Sequence, residues 1–88
     1  MPRPAMPITV TFPGMLSKWF DGQEHVLAEG RTVAECLAYL EPRFPGLEGR
    51  LRTAAVLVNG QDIRLLQGPV TLIQDGDRIE LIPLLAGG

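Results

Sequence analysis

The apolar positions of this chain predict three strands. Residues 8–12 alternate apolar and polar side chains, as a half-buried strand requires, and residues 78–82 repeat that pattern. Residues 54–58 form a short unbroken run of small or branched apolar residues that predicts a third strand. The pair Asn59-Gly60 follows this run and favours a tight turn, because both residues tolerate a positive φ.

Helical spacing replaces alternation after residue 31. Thr32 and Glu35 form a capping box, in which the hydroxyl accepts a bond from an early backbone N–H and the glutamate reaches back. Pro42 should end the helix, because its ring removes a backbone donor. The predicted apolar stripe of this helix comprises Val33, Cys36, Leu37 and Leu40.

The other segments carry weaker signals. Residues 23–29 predict a further strand, second in chain order, and residues 70–73 predict a minor one. Residues 15–20 predict a loop or single turn that brings Trp19 and Phe20 to the edge of the core.

These elements define an α+β domain over residues 8–83, with one main helix lying across one face of a mixed sheet of four to five strands. Pairing should stop at Pro83, which has no N–H to donate. We expect the proline-rich residues 1–7 to be disordered and residues 84–88 to form a flexible tail.

Alternation also predicts what the other face of the sheet displays. Glu80 should face water, which places Ile82 on the same outward face, and Leu57 is expected there from the neighbouring run. If the two strands are neighbours, Leu57 and Ile82 form an exposed apolar patch that a partner protein could contact. The alternative is that both are scattered surface residues, which are common.

Composition narrows the classes of function. The chain has 88 residues, 45% of them apolar, and a net charge of −2. A domain of this size has a thin core, which favours a binding or carrier module over a self-sufficient enzyme. Its cations are scattered, so nucleic acid is not expected as a partner. No apolar run approaches the length of a membrane span, and we expect a cytoplasmic protein.

Few side chains offer chemistry of their own. Cys36 is the single cysteine, and its helical spacing with apolar residues favours inert packing over a nucleophile. His25 is expected to be a solvent-facing strand residue. Asp75 and Asp77 flank a glycine, which favours a turn over a metal site. We therefore expect no metal or cofactor on this chain.

The last two residues, Gly87 and Gly88, offer a different chemistry. A terminal carboxylate is ionised at neutral pH and is a poor electrophile until ATP converts it to an acyl-adenylate. An activating enzyme would reach it through a narrow channel, and glycine has no Cβ to clash there. The alternative is a frayed end without a role.

Three motifs make the chain resemble the MoaD/ThiS family of ubiquitin-like sulfur carriers. They are the D-G-D turn, apolar strand, proline and A-G-G ending of residues 75–88, the V-N-G turn of residues 58–60, and the G-x-T-V-x-x-x-L helix start of residues 30–37. The segments Phe12-Pro13 and Asp21-Gly22-Gln23, with a residue other than proline at 84, look more like CysO-type carriers of a cysteine pathway than like molybdopterin-synthase subunits.

The resemblance implies a β-grasp fold and a role as a carrier rather than an enzyme. An E1-like enzyme would use ATP and magnesium to adenylate Gly88, with Gly87 threading into its channel. Sulfur would then give a C-terminal thiocarboxylate that donates sulfur to a biosynthetic enzyme. The implied partner-binding residues are Leu57, Ile82, Leu84, Leu85 and Ala86. Two other functions stay open, a protein modifier joined through Gly88 to lysines and a plain interaction domain.

Overall fold

The computed structural model describes residues 7–47 and 49–84, and within these it contains a five-stranded sheet in the order β2-β1-β5-β3-β4. The central pair, β1 and β5, is parallel, and the other neighbouring pairs are antiparallel. The predicted mixed sheet of an α+β domain is therefore confirmed. The strands are β1 (Ile8–Thr11), β2 (His25–Ala28), β3 (Ala54–Val58), β4 (Gln61–Asp62) and β5 (Arg78–Pro83).

One α-helix, α1 (Val33–Leu40), packs across one face of this sheet. The strands bury every second residue against it, so the core is one layer of side chains between sheet and helix. Short 3-10 helices close the rest of the domain. They span Gly14–Phe20, Pro45–Leu47, Leu51–Thr53, Ile63–Leu65 and Gly68–Val70. The buried apolar residues are Ile8, Val10, Leu16, Phe20, Val26, Ala28, Val33, Cys36, Leu40, Leu47, Val56, Val58, Ile73, Ile79 and Leu81.

The predicted capping box begins α1. The Thr32 Oγ1 atom accepts a hydrogen bond of 3.1 Å from the backbone N–H of Glu35. The Glu35 Oε1 atom accepts one of 2.9 Å from the backbone N–H of Arg31, one residue before the position that a standard box uses. The helix ends at Leu40, two residues before Pro42, as the sequence indicated.

Gly30 allows the chain to pass tightly under this helix start. A Cβ atom there would lie 2.7 Å from the backbone nitrogen of Cys36 and 2.8 Å from the Cβ atom of Glu35. Because backbone would have to move, we expect Gly30→Ala to lower the free energy of unfolding by about 1–3 kcal/mol. Urea denaturation measures this loss. Gly14→Ala is the matched control, since nothing lies within 4 Å of its added methyl group, and equal losses in both variants would contradict the argument.

The expectation for residues 15–20 was wrong about the conformation and about the depth of Phe20, but Trp19 is partly buried against the core, as expected. Gly14–Phe20 is a 3-10 helix, and it ends at Asp21, whose φ of 56° reverses the chain. Phe20 is fully buried and stacks on Phe12 with ring centroids 4.0 Å apart, while Phe44 meets its ring edge-on. This aromatic cluster extends the core beyond the edge of the sheet, which no local periodicity could signal.

The minor strand predicted at residues 70–73 is not part of the sheet. Gly68–Val70 is a 3-10 helix, and Leu72 forms an isolated bridge with Thr32. The Thr71 carbonyl accepts from the N–H of Val33, and the Ile73 N–H donates to the carbonyl of Arg31. The backbone of this segment is therefore satisfied by the chain entering α1.

Pro83 does not end the pairing of β5, contrary to the prediction. It lies opposite Ala54 within the ladder, and the N–H of Leu84 still donates to the carbonyl of Thr53. In an antiparallel pair only alternate residues exchange bonds with the partner strand. The missing N–H of Pro83 would point to the β1 side, where the pairing of β5 ends at Glu80, so the ladder with β3 loses nothing.

Candidate functional site

The end of β5 is the described part of the chain that comes just before the predicted reactive residues in the sequence. Leu85, Ala86, Gly87 and Gly88 lie outside the described residues. Leu84 is the last described residue, and its side chain is 52% exposed. Its backbone N–H remains tied to the carbonyl of Thr53, so the strand supports the base of the tail up to this point.

The two apolar residues predicted on the outer face lie on neighbouring strands. β3 and β5 pair directly, with Leu57 opposite Glu80 and Ala55 opposite Ile82. The residues that alternate with them, Val56 and Leu81, face the core. Leu57 and Ile82 are thus diagonal neighbours on the face away from α1, at a spacing of about 7–8 Å that long side chains can bridge. Both are half-buried, so the patch is less exposed than predicted.

A cleft of about 210 Å³ opens beside this patch. Among the described residues β4 pairs only with Leu57 and Val58, so the first part of β3 has a free edge on that side. The chain then turns away into the 3-10 helix Ile63–Leu65. The cleft is lined by Ala54, Ala55, Val56, Asp62, Ile63, Arg64 and Leu84.

The polar rim of the cleft is an ion pair that sequence reasoning missed. The Arg64 guanidinium donates to both carboxylate oxygens of Asp62, with Nη2 to Oδ2 at 2.7 Å and Nε to Oδ1 at 3.1 Å. These side-chain hydrogen bonds lower the pKa of Asp62 from its ordinary value. The Asp-x-Arg spacing after the Asn-Gly turn was the available signal. An exposed pair of this kind contributes little to stability, but it neutralises the rim.

At the opposite end of β5, the Asn59-Gly60 turn is hydrogen-bonded to the turn formed by residues 74–77. Asn59 has a φ of 50°, and its Nδ2 donates to Asp77 Oδ1 at 3.0 Å. Asp77 also accepts from the N–H of Gln74 at 2.8 Å. Asp77 therefore stabilises turns, as the sequence suggested. The described part of the chain contains no group of three or more residues that could hold a metal ion. Neither does it contain a helix long and apolar enough to cross a bilayer.

Cys36 is buried on α1, as the helical spacing predicted. Burial, with a smaller contribution from the charge of Glu35, raises the pKa of its thiol from 9.0 to about 11. His25 is exposed on β2. Cys36 belongs to the apolar core cluster, so packing is the role that this environment supports.

We expect iodoacetamide to alkylate Cys36 at pH 8 at least about 100-fold more slowly in the native protein than in guanidinium, because fewer thiolates form and access is blocked. Mass spectrometry of quenched samples measures both rates. The raised pKa also means that the folded state prefers the neutral thiol, so its stabilising contribution is complete below pH 9.0 and is lost as the pH rises towards about 11. Equal alkylation rates in both states would contradict this description of the site.

Comparison with known proteins agrees with this architecture. The sequence profile of the ThiS family matches residues 10–88. The sulfur carrier protein CysO of Mycobacterium tuberculosis is 33% identical over 93 aligned positions, covering 94% of this chain and 100% of that protein. The sulfur carrier protein ThiS of Escherichia coli is 36% identical over 69 positions, covering 78% and 94%. A chain in the crystal structure of the Amycolatopsis orientalis BexX/CysO complex has a TM-score of 0.82 and 34% identity, covering 92% of this chain and 99% of its own.

The mixed sheet packed against α1 is the β-grasp fold of ubiquitin-like proteins. Within that fold the chain belongs to the ThiS family. This assignment places it among small sulfur carrier proteins rather than among catalysts. The family resemblance inferred from the sequence is confirmed, including its likeness to CysO.

Proposed function

We propose that the chain carries sulfur as a thiocarboxylate on Gly88. The Gly88 carboxylate attacks the α-phosphate of ATP on an E1-like enzyme and releases pyrophosphate. A hydrosulfide-equivalent donor then adds to the acyl-adenylate and expels AMP, which leaves a C(=O)–S⁻ group. ATP and magnesium belong to the activating enzyme, and this chain holds no cofactor. The observation that carries the proposal is that the family match extends through the glycine pair to residue 88.

Two features of the described residues support a role in presenting the tail. β5 is the central strand of the sheet and ends at Pro83, next to Leu84, so the tail starts from the best-supported strand of the fold. Leu57 and Ile82 form an apolar patch on the strands next to that starting point. We propose that this patch, with Leu84, Leu85 and Ala86, binds the body of the activating enzyme while Gly87 passes into the channel.

The pathway that we propose is cysteine synthesis in the cytoplasm. The identity to CysO extends over the whole of that relative, while the match to ThiS aligns fewer residues. The sulfur acceptor would then be a cysteine-synthase-like enzyme. Incubating the thiocarboxylate form with such an enzyme and O-phosphoserine is expected to release phosphate and leave cysteine attached to Gly88. The product should lie one cysteine residue above the mass of the chain with a free carboxylate, because the sulfur of that cysteine comes from the thiocarboxylate. An unchanged thiocarboxylate would reject this pathway without rejecting the carrier function.

Intact-mass measurement tests the carrier function itself. The chain is expressed with the E1-like enzyme of the same organism and supplied with ATP and sulfide. Exchange of one oxygen for one sulfur at the terminus raises the mass by about 16 Da, and alkylation by iodoacetamide under native conditions should then label the terminus but not Cys36. Samples without ATP are the control. No ATP-dependent exchange with an active enzyme would overturn the proposal.

A protein-modifier function is the second candidate. Small archaeal modifier protein 3 of Haloferax volcanii is 38% identical over 64 residues. This identity is the observation that supports the modifier function. In that case the activated Gly88 would be attacked by a lysine amine instead of sulfur, forming an isopeptide bond. ATP-dependent conjugates of higher mass, with Gly88 joined to lysine in tryptic peptides, would support this candidate.

A further inference from the structure

Glu80 occupies the centre of the outer face of the sheet. Its Cα partners are Thr11 on β1 and Leu57 on β3, and Ile82 follows it two residues later on the same face. A residue directly opposite in such a pair has its Cβ about 5 Å away. The side chain of Glu80 therefore starts between Thr11 and Leu57, directly beside the patch formed by Leu57 and Ile82.

Glu80 differs in its charge environment from the other carboxylate in this row of the sheet. Asp62 lies on the far side of Leu57 and is neutralised by Arg64. Glu80 is half-buried, and its side chain has neither a hydrogen bond nor an ion pair with another residue in ranges 7–47 and 49–84. Arg78 is the nearest cation along its own strand, but two strand residues separate their Cα atoms by about 6–7 Å, and Arg78 is exposed to solvent.

An uncompensated carboxylate restricts what can cover this patch. A purely apolar partner surface would remove water from Glu80 without replacing its hydrogen bonds, which is strongly unfavourable for a charged group. A lysine or arginine placed between the partner's apolar side chains would satisfy the carboxylate and the patch together. Such complementarity sets specificity and the rate of association.

We propose that Glu80 is a specificity-determining residue, which selects an activating enzyme whose docking surface carries a basic side chain surrounded by apolar contacts. This inference rests on the proposed carrier function. Beyond that function, it specifies that the partner surface is apolar and carries a positive charge at its centre. Enzymes whose docking surface carries no cation at this point would be rejected by the desolvation of Glu80.

Calorimetric binding to the E1-like enzyme of the same organism tests this role. We expect Glu80→Gln to weaken binding about 10-fold, and Glu80→Lys to weaken it more than about 100-fold, because like charges are then brought together. The affinity of the unchanged protein should fall between low and high salt, and that of Glu80→Gln should fall less. Glu41→Lys is the control with the same change in net charge, since Glu41 is an exposed residue at the end of α1.

The outcomes separate this inference from the proposed function. Equal affinities for Glu80→Lys and Glu41→Lys, with normal thiocarboxylate formation by the unchanged chain, would overturn the role of Glu80 alone. Failure of the unchanged chain to bind the enzyme or to gain sulfur would overturn both. Thermal unfolding of each variant must match that of the unchanged protein to within about 2 °C, and Glu80→Gln provides a nearly isosteric variant should Glu80→Lys unfold.

Discussion

Deletion of Gly88 is expected to abolish ATP-dependent activation of this protein while leaving its fold intact. The deletion moves the terminal carboxylate back by about 3.5 Å, the length of one extended residue. Misplacement by 1 Å can already lower a rate by about 100-fold, so acyl-adenylate formation should fall below detection. Pyrophosphate exchange catalysed by the E1-like enzyme measures this step directly.

Two comparisons make this expectation specific. Gly88→Ala keeps the length of the chain but adds a Cβ atom, so partial activity is expected from it if a narrow channel is the constraint. The thermal midpoint of the deleted chain should match that of the full chain, because the buried apolar residues of the described structure lie between Ile8 and Leu81. Undiminished exchange by the deleted chain would remove Gly88 from its proposed role. A large loss of thermal stability would show that the tail packs against the domain.

Phe20→Ala should cause the largest loss of stability among the single substitutions considered. The ring is fully buried, stacked on Phe12 and in edge contact with Phe44. Truncating a buried phenylalanine lowers the free energy of unfolding by about 3–5 kcal/mol, which is a large part of the stability of a domain this small. Scanning calorimetry should record a decrease of the thermal midpoint by roughly 15–30 °C.

Met15→Ala is the matched control for this substitution. Met15 lies on the same 3-10 helix, but its side chain is 62% exposed. Its truncation should change the free energy of unfolding by less than about 0.5 kcal/mol. Comparable effects of the two substitutions would mean that the segment contributes to stability through its backbone and not through the buried aromatic ring.

Strands β1 and β5 and the main helix were predictable because each carries its own periodicity, whereas the two-residue strand β4 has none and was not predicted. The alternation of β1 and β5 is produced by burial on one face, and the spacing within α1 by burial of one stripe. The tight turn at Asn59 was equally local, because its positive φ depends on the residue type. These features follow from neighbours along the chain, so a single sequence contains the information that they require.

Features made by distant residues were not predictable in this way. The depth of Phe20 depends on Phe12 and Phe44, which approach it only in the folded chain. The segment at Leu72 has a weak strand pattern, but its backbone partners belong to the entry into α1. The continued pairing at Pro83 depends on which neighbouring strand its missing N–H would face.

The candidate site also contains features of both kinds, those set by local sequence and those set by the fold. The sequence by itself determined the family of the protein, since the glycine pair and the residues leading to it carry the family resemblance and the terminus that we propose to react. Only the tertiary structure decided the setting of Glu80, between Thr11 and Leu57, with Asp62 already neutralised by Arg64. The physical reason is that a covalent terminus is a property of the chain order. A row of side chains across a sheet is a property of strand pairing, which joins residues far apart in sequence.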